Sequence, residues 1–267
     1  MQQAEASVDV NIIISTEDKT CQIEIIEVRD ENKTYPATHY LLIETEVRST
    51  TWSVRNMPMT SSDIKVRATY LYGSSGIFKA GNLISEMGGK MQGSQGTVRL
   101  TNGSVLIDDS MRGLHLGTYL FHKIVSWAKQ FEPTYTIVPI SVIAGDAGKE
   151  NKDRRNKLYI NSGIRFQWND EKDMGGRSDP TLCVADLIAY ANWPNIDRHH
   201  GMRALDKIWQ ELSNLKTAAR DLRASNRYYR KKYKTIYSRL RGIADFINPL
   251  ICLFCIAAGF MIGKAMG

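Results

Sequence analysis

Between Leu205 and Ile243 apolar residues recur at alternating intervals of three and four without a break. Leu205, Leu212, Ala219, Asn226, Tyr233 and Leu240 take the a positions of a heptad, and Ile208, Leu215, Leu222, Tyr229, Ile236 and Ile243 the d positions. That period belongs to a helix whose stripe needs a partner. A single Asn at an a position favours two parallel strands in register, which predicts a homodimer through this stalk. One amphipathic helix lying on the rest of the chain is the alternative.

The stripe runs into "FINPLICLFCIAAGFMIGKAMG". Phe246 to Ile262 is 17 residues, interrupted only by Asn248 and Pro249, which meets the lower limit for a membrane-spanning helix. The strictly apolar run from Leu250 is 13 residues, a length that also suits a buried or interfacial helix. Arg227, Arg230, Lys231, Lys232, Lys234, Arg239 and Arg241 precede it, and Lys264 alone follows. That bias predicts a single-pass C-terminal anchor with the head in the cytoplasm and the basic collar against membrane lipids.

The net charge of +7 at first suggests nucleic acid, but residues 203–243 hold 12 Lys/Arg against 3 Asp/Glu, and the remainder holds 23 against 25. The excess therefore belongs to the stalk, and a nucleic-acid partner is not expected. Two of the 4 cysteines, Cys252 and Cys255, lie in the apolar tail, which leaves Cys21 and Cys183 for the head. Neither a disulfide framework nor a metal site is expected from them. "MQQAEASVDV" lacks the basic and apolar regions of a secretory signal.

The head reads as β-rich over residues 1–72. "VDVNIIIS", "TCQIEIIEV", "HYLLIETEV", "TTWSVRN" and "DIKVRATYLY" are strand-like. "GIFKAGNLISEMGGKMQGSQG" predicts a short helix before a Gly-rich loop, and "TVRL-TNG-SVLI" a hairpin turned at Asn102-Gly103. From Leu116 a helix is expected, with Leu120, Ile124, Trp127 and Phe131 on one face. A strand "YTIVPISVIA", a helix in "NKDRRNKLYINSG" stopped by Gly163, a strand at 165–168 and a last strand "TLCVADLIAY" complete the order. Alternation of strand and helix across 98–190 gives an α/β class with a mixed sheet.

The junction "SMRGLHLGTYLF" carries the chemistry. A strand ending at Ile107 would feed a Gly-containing loop and then a helix, whose first N–H groups are unpaired and carry the positive end of the dipole. Such a place binds phosphate. Gly113 and Gly117 clear space there, Arg112 adds charge, and Thr118 offers a hydroxyl.

"RGLHLG" at 112–117 and "LYINSGI" at 158–164 resemble the GNAT superfamily of N-acetyltransferases. In that family an Arg/Gln-x-x-Gly-x-Gly/Ala loop follows a central strand, and a later helix ends in an aromatic-Tyr-x-x-x-Gly-Phe-like signature. Arg112, Gly113 and Gly117 match, while His115 stands where the middle Gly usually lies. The resemblance covers residues 98–190 and implies a GNAT-like acyl-CoA-binding domain over 73–193, with acetyl-CoA as cosubstrate and an amine as acceptor. It implies that Ile107 to Asp109 supply the strand end, that Arg112, Gly113, Leu114, His115, Leu116, Gly117 and Thr118 form the pyrophosphate loop, and that Tyr159 is the general acid. Core packing is the alternative for Tyr159. Asp108, Asp109, Asp146 and His115 are candidates for the general base by location. The "NKDRRNK" helix is placed to reach the CoA adenosine phosphate, or else presents a solvated basic face. A GNAT fold without activity, tethered as an assembly protein, is the rival to the enzyme. The expected organisation ends with the stalk at 202–243 and the anchor at 244–263.

Overall fold

The strand-forming residues of the N-terminal region continue past the turn signals that seemed to divide them. In the computed structural model, which describes residues 13–31, 37–54, 57–73, 78–102, 107–146, 148, 151–199 and 202–266, five expected strands become three long ones. They are β1 (Ile13–Asp30), β2 (Ala37–Val54) and β3 (Met57–Gly73). The start of "VDVNIIIS" lies outside the described residues. Each strand is antiparallel to the next, and Thr45 pairs with both Gln22 and Val66.

The helix expected in 76–96 is not formed. Leu83–Gln92 is a strand, β4, antiparallel to β3. Its two glycines are strand positions under close neighbours rather than a loop. A Cβ on Gly89 would stand 2.8 Å from the Arg99 carbonyl oxygen and 2.9 Å from Cζ3 of Trp127, so only glycine lets a helix lie so near. β5 (Thr97–Arg99) turns back along β4. The expected turn at Asn102-Gly103 and most of its far arm lie outside the described residues, and Ile107 is the described end of that arm. Ile107 bridges Ser85 of β4, whereas in the register of β5 it would face Asn82.

α1 (Leu116–Ala128) follows, then β6 (Thr136–Ile137), parallel to β5. The single strand expected over 135–144 is split by Pro139 into β6 and β7 (Ser141–Val142), which belong to different sheets. α2 (Asn151–Asn161) ends at Gly163, whose φ of +83° is the left-handed turn a glycine supplies. β8 (Phe166–Trp168) and β9 (Gly176–Ser178) complete the small sheet, ordered β7-β9-β8. "TLCVADLIAY" is not a strand. Cys183 makes one bridge to Thr136, and Val184–Asp186 is a 3-10 turn capped by the Asp186 carboxylate. β10 (Ile196–His199) then pairs with β1, so the large sheet runs β10-β1-β2-β3-β4-β5-β6.

Alternation decides the two faces of this sheet. Ile26, Leu41, Ile43, Val66, Ala68, Met87, Met91, Val98 and Ile137 are buried on one face, against Leu116, Leu120, Ile124 and Val125 of α1. The other face carries ion pairs such as Arg67–Glu86 at 2.7 Å and Lys65–Glu86 at 2.9 Å.

The chain divides into two compact units, Met1–Ala204 and Leu205–Gly267. The second is carried by one helix, α3 (Met202–Met266), 65 residues long with Pro249 inside it. This helix is long and apolar enough to cross a membrane, with an 18-residue window of mean hydropathy 1.8.

Candidate functional site

The loop before α1 is built by internal bonds. Asp108 accepts hydrogen bonds from the N–H and the hydroxyl of Ser110, at 3.0 and 2.5 Å, and so starts the 3-10 turn Asp109–Met111. Met111 is fully buried and pins the turn. Arg112 is spent on the loop itself. Its Nε donates to the Ile107 carbonyl at 3.1 Å and its Nη2 pairs with Asp109 at 2.6 Å. The arginine that the resemblance assigns to phosphate therefore fastens Ile107, which makes one isolated bridge to Ser85, to the turn.

Backbone conformation then does what the sequence pattern suggests. Gly113 has φ +82° and His115 φ +59°, either side of buried Leu114, and the helix opens with the Tyr119 N–H donating to the His115 carbonyl at 3.0 Å. The N–H groups of Leu116, Gly117 and Thr118 precede that ladder. Leu116 is core, Thr118 is half-buried, and a Cβ on Gly117 would stand 2.8 Å from Cδ1 of Ile107, so that side-chain tip would have to move aside.

A cation reaches this loop from elsewhere. Exposed Arg154 of α2 places Nη1 3.6 Å from where a Cβ on Gly113 would be. No carboxylate lies within ion-pair distance of it among the described residues. Its neighbours hold α2 in place. Arg155 donates to the carbonyls of Ile143 and Met174 at 3.0 and 2.9 Å, and Asn156 to that of Asp173 at 3.1 Å. The "NKDRRNK" segment thus brings one guanidinium to the loop that pairs with no carboxylate among the described residues, and uses another as a strut.

Tyr159 lies on the same helix and is buried at 5% exposure. Its ring is edge-on to Phe121 of α1 at 5.6 Å and tilted on Phe166 at 5.5 Å. Of the candidate bases, Asp108 and Asp109 are engaged within the turn, and the side chain of Asp146 lies outside the described set. His115 is exposed, with Nδ1 2.8 Å from Oδ1 of Asn195. Asn195 gives its Nδ2 to the carbonyls of Leu114 and Arg29, so its Oδ1 must accept from Nδ1–H, which leaves Nε2 of His115 with the lone pair.

The parallel pairing in the large sheet is short. β5 and β6 are bonded through Val138 N–H to the Val98 carbonyl at 2.9 Å, and one residue later Pro139 has no N–H to give. Ile140 bonds instead to Ser178 of β9, its N–H to the side-chain oxygen and its carbonyl to the N–H, both at 2.9 Å. The parallel pairing of β5 and β6 therefore ends at Pro139, where the chain passes from the large sheet to the small one. The proline in "TIVPIS" was the signal for this break.

A second cluster was not foreseen. Glu24 of β1, 7% exposed, accepts from the Tyr119 hydroxyl at 2.6 Å and pairs with Lys123. Burial and that carboxylate push the Tyr119 phenol far above its ordinary value. The cluster edges a cleft of about 390 Å³ lined by Gln22, Thr45, Lys123, Gln130 and Arg198. Its signal was a carboxylate in the core-facing register of an apolar strand. No group of side chains suited to a metal ion occurs among the described residues.

Compared with protein-family models, curated proteins and solved structures, the chain matches none.

Proposed function

We propose that the head is a GNAT-like N-acetyltransferase that moves an acetyl group from acetyl-CoA to an amine, held at a membrane by its C-terminal helix. The observation that carries this reading is the glycine-containing loop into α1, where Gly113 and His115 both take the left-handed conformation and the first N–H groups of the helix precede its ladder. In this reading the diphosphate of acetyl-CoA is held by the N–H groups of Leu116 to Thr118 at the positive end of the helix dipole. Arg154, rather than Arg112, supplies the positive charge.

In the reaction the unprotonated amine attacks the thioester carbonyl carbon. The C–S bond breaks, the sulfur leaves as thiolate and takes a proton, and the amide nitrogen loses one. Tyr159 is the proposed proton donor, because an ordinary phenol holds its proton at neutral pH and its ring is clamped by Phe121 and Phe166. Nε2 of the exposed His115, left with the lone pair, is the proposed proton acceptor.

A second reading has one observation in its favour. The His115 side chain occupies the loop where a glycine backbone would approach a diphosphate, which suits a fold kept for assembly at the membrane without turnover. Calorimetry of the full chain in neutral detergent with acetyl-CoA separates the two. Saturable binding that Arg154→Gln weakens supports the enzyme, and no heat at millimolar ligand leaves the assembly protein. A shortened head for this purpose must extend to Ala204, because β10 and Asn195 belong to the first unit.

A further inference from the structure

The stalk residues of α3 present their a and d side chains to solvent. Leu205, Leu212, Leu215, Leu222, Tyr229, Tyr233, Ile236, Leu240 and Ile243 are each between 40% and 75% exposed. Nothing else within this unit covers them, since it is a single helix. A stripe of this length left in water is an interface lacking its other half.

We propose that the other half is a second copy of this chain, parallel and in register, and that the two helices close along Ile236–Ile243 only over an anionic bilayer. This rests on the reading of the tail as a membrane anchor. Three observations select the occupant. Asn226 carries both a donor and an acceptor on its carboxamide, so in the seam it is satisfied by its own counterpart, and any shift by a heptad sets it against Ala219 or Tyr233. In the parallel pairing Glu211 at a g position faces Lys216 at an e position of the second copy, which complements charge at the upper end. The apolar segment that follows Ile243 gives both copies one direction of insertion, so an antiparallel pair is not available to them.

The lower end poses the opposite problem. From Leu222 to Ala244 there is no Asp or Glu, while Arg223 and Arg230 at e and Lys232 and Arg239 at g flank the seam. Pairing in register doubles that charge at separations near the screening length of about 8 Å at physiological salt. Tyrosines at 229 and 233 add bulk to the same stretch. At a rise of about 1.5 Å per residue, Arg239 and Arg241 stand within roughly 10 Å of the apolar segment, where anionic headgroups neutralise them. Lys232 stands too far up for that. The membrane composition therefore governs the last two turns of the stalk and leaves the upper turns alone.

The test is disulfide cross-linking of the full chain in vesicles, with its 4 native cysteines replaced. Ala219→Cys reports the upper seam and Leu240→Cys the lower one, and Ala224→Cys and Ser238→Cys at outward f positions are the controls. Vesicles are phosphatidylcholine alone, or an equal mixture with phosphatidylglycerol. Ala219→Cys is expected to cross-link in both, far ahead of Ala224→Cys. Leu240→Cys is expected to cross-link at least about fivefold more in the anionic vesicles, with the difference collapsing at high salt. Equal cross-linking at 219 and 224 overturns the in-register pair, and equal cross-linking of Leu240→Cys in both vesicles overturns the lipid dependence. Sedimentation equilibrium of the unmodified chain in neutral detergent reads the dimer without any variant, and a monomer there overturns the pair. Flotation with vesicles reads the anchor separately, so failure of the anchor and failure of the pair are distinguishable.

Discussion

Asn195 holds His115 at 2.8 Å and the Leu114 carbonyl at 3.1 Å, and in this way the segment before β10 fixes the loop that opens α1. Eighty positions separate the histidine from the asparagine. Asn195→Ala leaves a strained His115 without its restraint and two carbonyls without a donor, at a cost of about 1–3 kcal/mol. Urea denaturation reads the stability loss. Calorimetry with acetyl-CoA is expected to show weaker binding in the same variant, and unchanged affinity would separate the loop's order from its use.

The two arginines at the loop have different work, and substitution distinguishes them. Arg154→Gln is expected to weaken acetyl-CoA binding by about tenfold with little change in stability, as for the loss of one charge-assisted contact. Arg112→Gln removes the tie between Ile107 and Asp109 and is expected to lower the melting temperature. If Arg112→Gln alone affects binding and Arg154→Gln does not, the cation at the loop has been misassigned.

Gly117→Asp is expected to abolish acetyl-CoA binding, chiefly because it puts negative charge at the helix start, its Cβ also displacing the tip of Ile107. Gly117→Ala keeps the displaced tip and omits the charge, so comparing the two in the same titration assigns the loss to one cause or the other.

Tyr159 is tested by a pair of variants. Tyr159→Phe keeps the rings against Phe121 and Phe166 and removes only the hydroxyl, so turnover is expected to fall with KM little changed. Tyr159→Ala opens a cavity and is expected to cost about 3–5 kcal/mol of stability. An unaltered rate in Tyr159→Phe confines the residue to packing.

The Tyr119 phenol gives a pH dependence of known sign. Its proton is held more tightly in the folded state, through burial and the Glu24 carboxylate, than in the unfolded chain, where tyrosine titrates near pH 10. The resulting stability is whole below about pH 10 and is lost as the pH rises beyond it. Tyr119→Phe is expected to flatten the alkaline limb of the unfolding free energy measured in urea. A limb that keeps its slope assigns the effect to another group.

The elements readable from sequence are those whose signal is local. α1, α2 with its Gly163 stop, the strand at 166–168 and the helical period from Leu205 all follow from apolar spacing and backbone punctuation, which act within a turn or two. The loop between Ile107 and Thr118 was legible for the same reason, because a left-handed turn and a helix start are local demands on the backbone. Partnership was not legible. The stretch "LISEMGGKMQ" has a mixed period, and only the approach of Trp127 and the Arg99 backbone shows why Gly89 suits a strand there. Pro139 marked a break in hydrogen bonding, but which strand took over, β9 through Ser178, depends on residues about forty positions away. Arg112 read as the phosphate ligand because it neighbours the glycines in sequence, yet Asp109 and Ile107 claim it, and Arg154 arrives from another helix. Sequence by itself determined periodicity, turn chemistry and the layout of charge along the chain. Tertiary structure alone decided which charges are consumed and where strand pairing ends, because ion pairs and ladder bonds are settled by distance in space, and sequence separation does not bound that distance.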